Sequence, residues 1–192
     1  GGGGAMAMRS AIENGCSCLA LESAPVEYAG GSTACCAGVC SATTDVERFI
    51  YRSMGYLTTE AAQQIADEEV KVVTWLTANG LQFNGALAVG FGHGLYEAEK
   101  QAVLGCGANV LYEAKVKHLV FDPVTKEVFG VQAETKDGPI YVKANKGVVL
   151  ATGNFAANPD LMHTYMLPRE IEYAQNGSPY DDGAAIEMGQ EI

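Results

Sequence analysis

The chain has 192 residues, 48% of them hydrophobic and 18% charged, a balance that fits one globular domain with a core and excludes a disordered chain. A net charge of −11 excludes nucleic acid as the expected partner; Lys115, Lys117, Lys143 and Lys146 are scattered through strand-like segments and form no basic tract. No apolar run approaches the roughly 18 residues that span a bilayer, so no transmembrane segment is expected.

In chain order, GGGGAMAMRSAIENG opens as a tight glycine turn running into a small-residue helix that stops at Asn14-Gly15. CSCLALE (16–22) is a short apolar run ending on Glu22, the pattern of a parallel strand buried on both faces. A polar, glycine-rich loop follows from Gly30 to Ser41. Ile65, Val72, Trp75 and Leu76 recur at helical spacing between Thr58 and Asn79, with Thr58 or Thr59 as N-cap, Gly80 as the stop and the Trp75 ring as core filling. GFGHG (90–94) leads into a helix through Leu104.

The period then changes. Segments near 108–112, 115–122, 127–134 and 139–145, divided by Asp122-Pro123 and Lys136-Asp137-Gly138, predict a strand followed by a three-stranded antiparallel meander. KGVVLATG (146–153) has the apolar pattern of another buried strand ending on glycine.

Six cysteines (Cys16, Cys18, Cys35, Cys36, Cys40 and Cys106) show no C-x-x-C spacing and are expected to be reduced thiols used in packing, which favours a cytoplasmic setting. His93, in a glycine-flanked loop that could face a ligand, His118 and His163 have no partner at metal or triad spacing and are expected to be structural or at the surface; no metal site is expected.

The chemistry lies at the start. A glycine turn before a helix brings N–H groups and the positive end of the helix dipole to a pyrophosphate, and an acid ending the next strand accepts from the ribose hydroxyls. Glu22 stands 18 positions beyond Gly4, near the roughly 20 that a dinucleotide fingerprint needs. Gly4 then serves as the third glycine of G-x-G-x-x-G and Gly1 as the second, with the first glycine and its strand upstream. The register Gly2, Gly4, Ala7 keeps the motif inside the chain at the cost of a shorter helix.

Further motifs narrow the class. GGSTACCAGV (30–39), Ala114-Lys115-Val116-Lys117-His118-Leu119, Ala151-Thr152-Gly153-Asn154-Phe155, Asn-Pro-Asp-Leu (158–161) and GSPYDDGAAIEM (177–188) follow one another in order. Together they resemble the FAD-dependent oxidoreductase 2 superfamily, the fumarate reductases, urocanate reductases and 3-ketosteroid dehydrogenases, in its GG-x-S-A-x-S-G-G, T-x-V-x-x-L, ATGGF and G-D-G segments. The resemblance implies an α/β fold, a Rossmann-like parallel sheet with an antiparallel β-meander, truncated at both ends. Residues 1–192 would be a partial FAD-binding domain, with its first strand upstream and its capping domain downstream.

By the same resemblance FAD would be held non-covalently, since Gly30 to Cys40 lacks the histidine that tethers flavin in some relatives. Gly1 and Gly4 would bind pyrophosphate and Glu22 the adenosine ribose. Gly30, Gly31, Ser32 and Thr33 would follow the diphosphate–ribityl region, and Gly38, aligned in the same motif, would also belong to the cofactor site. The Val116 backbone would meet adenine, Ala151, Thr152 and Gly153 would pass beside the cofactor, and Asp182 and Gly183 would lie near the flavin. The substrate would be a small unsaturated acid or enone, with an electron-donor protein as a possible partner and the catalytic residues beyond the chain. Cys36 and Ala37 in place of Ser-Gly, Asn154 in place of glycine and Asp181 in place of glycine depart from the pattern. A pyridine-nucleotide–disulfide flavoprotein, for which Cys35 and Cys40 have the C-x(4)-C spacing but a second glycine fingerprint is missing, and a nucleotide-binding module without chemistry are the alternatives.

Overall fold

The computed structural model describes residues 1–40, 43–171 and 177–192; Ser41, the end of the expected glycine-rich loop, lies outside them. The first helix, α1 (Gly2–Glu13), begins directly on the glycine run and stops where expected, at Asn14 with Gly15 at φ +73°. Its Ala5, Met6, Met8 and Ile12 pack with Val103, Ala108 and Trp75. Small residues let the helix approach its neighbours closely, and the larger ones fill what remains.

The strand after it, β1 (Leu19–Leu21), pairs in parallel with β4 (Asn109–Leu111), Leu19 opposite Asn109 and Leu21 opposite Leu111. This parallel sheet has two strands among the described residues. Two expectations fail here for one reason. Leu19 is 47% exposed, so β1 is not buried on both faces, and residues 146–153 form no strand, with Val149 72% exposed. An apolar extended segment becomes a buried strand only when a neighbour takes its backbone N–H and C=O groups, and the described residues supply none to 146–153.

Between β1 and β4 the chain builds a helical layer. The expected loop contains a short helix, α2 (Gly31–Cys35), entered through Gly30 at φ +118°. Helix α3 (Val46–Arg52) is not among the expected elements although it carries local helix signals: Asp45 accepts from the Arg48 N–H at 3.1 Å, with Glu47 in the first turn and Arg52 in the last. Helix α4 (Thr59–Ala78) is capped by the Thr58 hydroxyl, which accepts from the Ala61 N–H at 3.2 Å. A tight hairpin, β2 (Phe83–Asn84) and β3 (Leu87–Ala88), leads to α5 (Phe91–Gly105), so GFGHG forms the helix entry and first turn. Leu76, Leu81, Ala88 and Leu95 make the core of this layer. Trp75 packs against this core and the α1 core, its ring covered by the Arg9 guanidinium at 4.8 Å.

The meander forms as expected, in the order β5 (Lys115–Phe121), β6 (Val128–Thr135), β7 (Gly138–Lys143), all antiparallel. Asp122 fixes the first turn by accepting from the Val124 and Thr125 N–H groups at 2.7 and 2.9 Å. Gly138 at φ +112° makes the second. After α6 (Pro159–Tyr165) and α7 (Pro168–Ile171), helix α8 (Ala184–Gln190) places Met188 against Leu119 and Val131, with Leu21 of β1 at the same cluster. That cluster ties the meander to the parallel pair. No helix among the described residues is long and apolar enough to cross a membrane.

Candidate functional site

The tertiary fold encloses a cleft of about 1310 Å³. One wall is the glycine run Gly1–Gly4 with β1 running to Glu22. A second is Gly30–Thr33 at the entry of α2, and a third is the extended segment 144–153. Val116 of the meander, Tyr180, Asp181, Asp182 and the α5 side chains Tyr96, Glu99 and Lys100 complete it.

The glycine edge shows why glycine is needed there. A Cβ on Gly1 would stand 2.6 Å from the Gly30 carbonyl oxygen and 2.8 Å from Thr33 Oγ1. The Gly2 N–H donates to Thr33 Oγ1 at 2.9 Å, which fastens the α1 turn to α2. The Gly3 and Gly4 N–H groups lie in the first turn of α1, at the positive end of its dipole. On these two residues a Cβ would meet only Ala151, at 3.9 and 3.8 Å. First-turn N–H donors, a favourable dipole and an open cradle are what an anionic diphosphate requires.

Glu22 projects at the end of β1. Its Oε1 accepts from the Ala24 N–H at 2.9 Å, which holds the carboxylate on the cleft wall and leaves Oε2 without a donor among the described residues. Nearby, Tyr96 is hydrogen-bonded to Tyr112; burial, then Tyr112 and the charge of Glu22, push its phenol well above the ordinary range.

At the opposite end three polar side chains meet. The Ser32 hydroxyl donates to Asp181, and Asn154 Nδ2 donates to Ser32 Oγ and Asp181 Oδ2, both at 3.2 Å. Asp181 is 2% exposed. Two of the positions that depart from the motif pattern, Asn154 and Asp181, thus answer each other in space. Asp182 turns the other way, to Lys115 Nζ at 2.5 Å and the Ala184 N–H at 3.1 Å. Burial raises its carboxyl, but the Lys115 hydrogen bond, the Ala184 N–H and the Lys115 charge outweigh that and hold it below its ordinary value. Thr152 Oγ1 accepts from the Ala185 N–H at 3.1 Å, anchoring the 151–153 wall to α8.

Twelve of the residues singled out in the sequence therefore line one cleft: Gly1, Gly4, Glu22, Gly30, Gly31, Ser32, Thr33, Val116, Ala151, Thr152, Gly153 and Asp182. Gly38 and Gly183 do not. Gly38 (φ +67°) packs against the Phe91 backbone, and Gly183 (φ +79°) is the left-handed entry to α8, pressed against Phe155 and Leu161. Sequence reasoning missed Tyr96, Glu99 and Lys100, because nothing in the α5 pattern says which face meets the glycine turn, and Tyr112, which follows β4 and meets Tyr96 only in the tertiary fold. His93, His118 and His163 are exposed, and His118 Nδ1 lies 2.8 Å from Glu191. All six cysteines are free; Cys40 packs on the helical core, but Cys35, Cys36 and Cys106 are exposed rather than packed.

Comparison with solved structures follows from this geometry. The chain is similar to 3-ketosteroid-delta4-(5alpha)-dehydrogenase from Rhodococcus jostii RHA1, with TM-score 0.80 and 21% identity over 97% of this chain and 51% of that one. It is similar to the open conformation of a flavocytochrome c3 fumarate reductase, with TM-score 0.81 and 19% identity over 98% of this chain and 38% of that one. The fold is that of the fumarate reductase-like flavoproteins. A third member of this fold, 3-ketosteroid delta1-dehydrogenase from Sterolibacterium denitrificans, gives TM-score 0.79 and 14% identity over 98% of this chain and 53% of that one. The chain thus spans between 38% and 53% of the length of these fumarate reductase-like flavoproteins. No family model and no curated sequence matches it.

Proposed function

We propose that this chain is the FAD-binding part of a flavin-dependent oxidoreductase of the fumarate reductase and 3-ketosteroid dehydrogenase class, whose whole enzyme passes a hydride between flavin and an activated carbon–carbon bond. The observation that carries the reading is the meeting of the α1 glycine turn, Glu22, the α2 entry and residues 151–153 in one cleft of about 1310 Å³. In this reading Gly3 and Gly4 offer N–H groups to the diphosphate beside Gly1. Glu22 Oε2 accepts from the adenosine ribose, and the Val116 backbone lies by the adenine. Gly30–Thr33 and Ala151–Gly153 border the ribityl and flavin end. FAD supplies hydride transfer at N5 when bound; this chain's residues orient it, neutralise its phosphates with backbone dipoles and exclude water from it.

Flanking sequence completes the Rossmann-like sheet on the free edge of β1 and adds the cap that carries the catalytic groups. The substrate is a small unsaturated acid or enone, the reducing equivalents come through a partner or carrier, and the enzyme works in the cytoplasm. Acid denaturation of the full-length protein should release all of its yellow colour, because no histidine lies between Gly30 and Cys40 to tether the ring. Colourless protein that fails to take up added FAD overturns the proposal, and flavin retained on the precipitate overturns non-covalent binding.

Glu22 gives the finer test. Its free oxygen can accept a charge-assisted hydrogen bond worth roughly 1.5–3 kcal/mol, so Glu22→Ala should weaken FAD binding about ten- to a hundred-fold. Titration of the apoproteins with FAD measures it, and equal affinities would place the ribose elsewhere.

A further inference from the structure

Glu99 is a charged group of the cleft to which the proposed cofactor reading gives no role. It projects from α5, is 5% exposed, and its Oε2 is buried with no hydrogen-bond partner among the described residues. Its Oε1 lies 3.2 Å from where a Cβ on Gly2 would stand, so the carboxyl rests against the first turn of α1. Buried carboxyls normally hold a donor, because an ionised one without a partner is costly. The position adds a second cost. A diphosphate arriving at the α1 turn would face a carboxylate at close range, and like charges in a low-dielectric cleft repel strongly.

One proton removes both costs. A neutral Glu99 carries no charge to repel the phosphates, and its O–H becomes the donor that a phosphate oxygen can accept. We infer that Glu99 is a ligand-linked proton site, which binds the diphosphate of the cofactor as a neutral acid and donates its hydrogen to a phosphate oxygen, so that cofactor binding takes up a proton. This rests on the cleft being a dinucleotide site.

The surroundings favour the proton. Burial pushes Glu99 up to about 7. Cys40, in the segment after α2, feels both Glu99 and Glu69 of α4, and the Oε2 of Glu69 is also buried and unpartnered among the described residues. Cys40 is itself raised, by burial first and then by Cys36, Glu99 and Glu69. Neighbouring Lys100 is held by Glu97 at 3.2 Å. Hairpin β2–β3 brings no titratable side chain to α5. A plain anionic cap of α1 would behave oppositely, losing its proton before the ligand arrives and taking none up.

The sign follows by linkage. If only the protonated form accepts the diphosphate, affinity is full below the free-state value near 7 and falls about tenfold per pH unit above it. FAD titration of full-length apoprotein should therefore show about tenfold weaker binding at about pH 8 than at about pH 6. Calorimetry at the higher pH, in two buffers of different ionisation enthalpy, should report close to one proton taken up per FAD. Glu99→Gln keeps the shape and a donor without the titration. It should match the wild type at the lower pH, bind about tenfold more tightly than it at the higher, and take up no proton there. Equal pH profiles and equal proton uptake in the two proteins overturn the inference. If Glu99→Gln does not fold, carbon-13 carboxyl spectra of the wild type decide. One glutamate should titrate near neutrality in the apoprotein and stay protonated at about pH 8 with FAD bound; all glutamates ionised in the complex overturn it. Absence of FAD binding at every pH would instead overturn the proposed function.

Discussion

Replacing Gly92 by alanine should destabilise the fold by about 3 kcal/mol, the upper part of the range for overpacking a tight contact. Gly92 lies in the first turn of α5, and its N–H donates to the Cys36 carbonyl at 3.0 Å. A Cβ there would stand 2.5 Å from the Cys36 oxygen, 2.7 Å from the Cys36 nitrogen and against the Thr33 carbonyl oxygen. These are backbone atoms, so no rotamer change relieves the clash and α2 must move away as a unit. Thr33 would leave the Gly2 N–H that it accepts at 2.9 Å, and Ser32 would pull on Asp181. Cofactor affinity should therefore fall with stability. Urea unfolding and FAD titration measure the two together. Gly105→Ala, where nothing lies within 4 Å of the new Cβ, is the control and should be neutral or slightly stabilising. A loss under about 0.5 kcal/mol for Gly92→Ala would show that α2 and α5 are not in tight contact.

Leu76→Ala is expected to cost about 2–5 kcal/mol, the transfer free energy of the lost side chain plus that of the cavity it leaves. Leu76 is 1% exposed, in a core with Leu81, Ala88 and Leu95, and Trp75, Val72 and Phe83 pack around it. It does not line the cleft. The two substitutions should therefore separate: at equal folded fraction, Leu76→Ala binds FAD as the wild type does, whereas Gly92→Ala remains weaker. Unchanged unfolding of Leu76→Ala would mean that the α4 and α5 layer is not the core that holds the wall in place.

The elements legible in the sequence were those whose signal is local. Alternating strands divided by Asp122-Pro123 and Lys136-Asp137-Gly138 gave the meander because turn chemistry fixes register between neighbours. Thr58 and Gly80 bounded α4 because caps act within one turn. The same local logic bounds α3 in Asp45, Glu47 and Arg52, but seven residues are too few to establish a helical period. Segment 146–153 failed for the opposite reason, since its apolar composition is local but strand formation needs a partner.

For the cleft, the sequence by itself determined the glycine turn, the acid at the end of β1 and the small-residue entry to α2. Each depends on backbone freedom or on strand length, properties that a residue carries with it. Only the tertiary structure decided that Gly38 and Gly183 serve packing, that Asn154 and Asp181 pair through Ser32, and that Glu99 lies buried against the α1 turn. Those outcomes depend on which helix faces meet and how closely. A helical pattern states that a face is buried and leaves open what it is buried against.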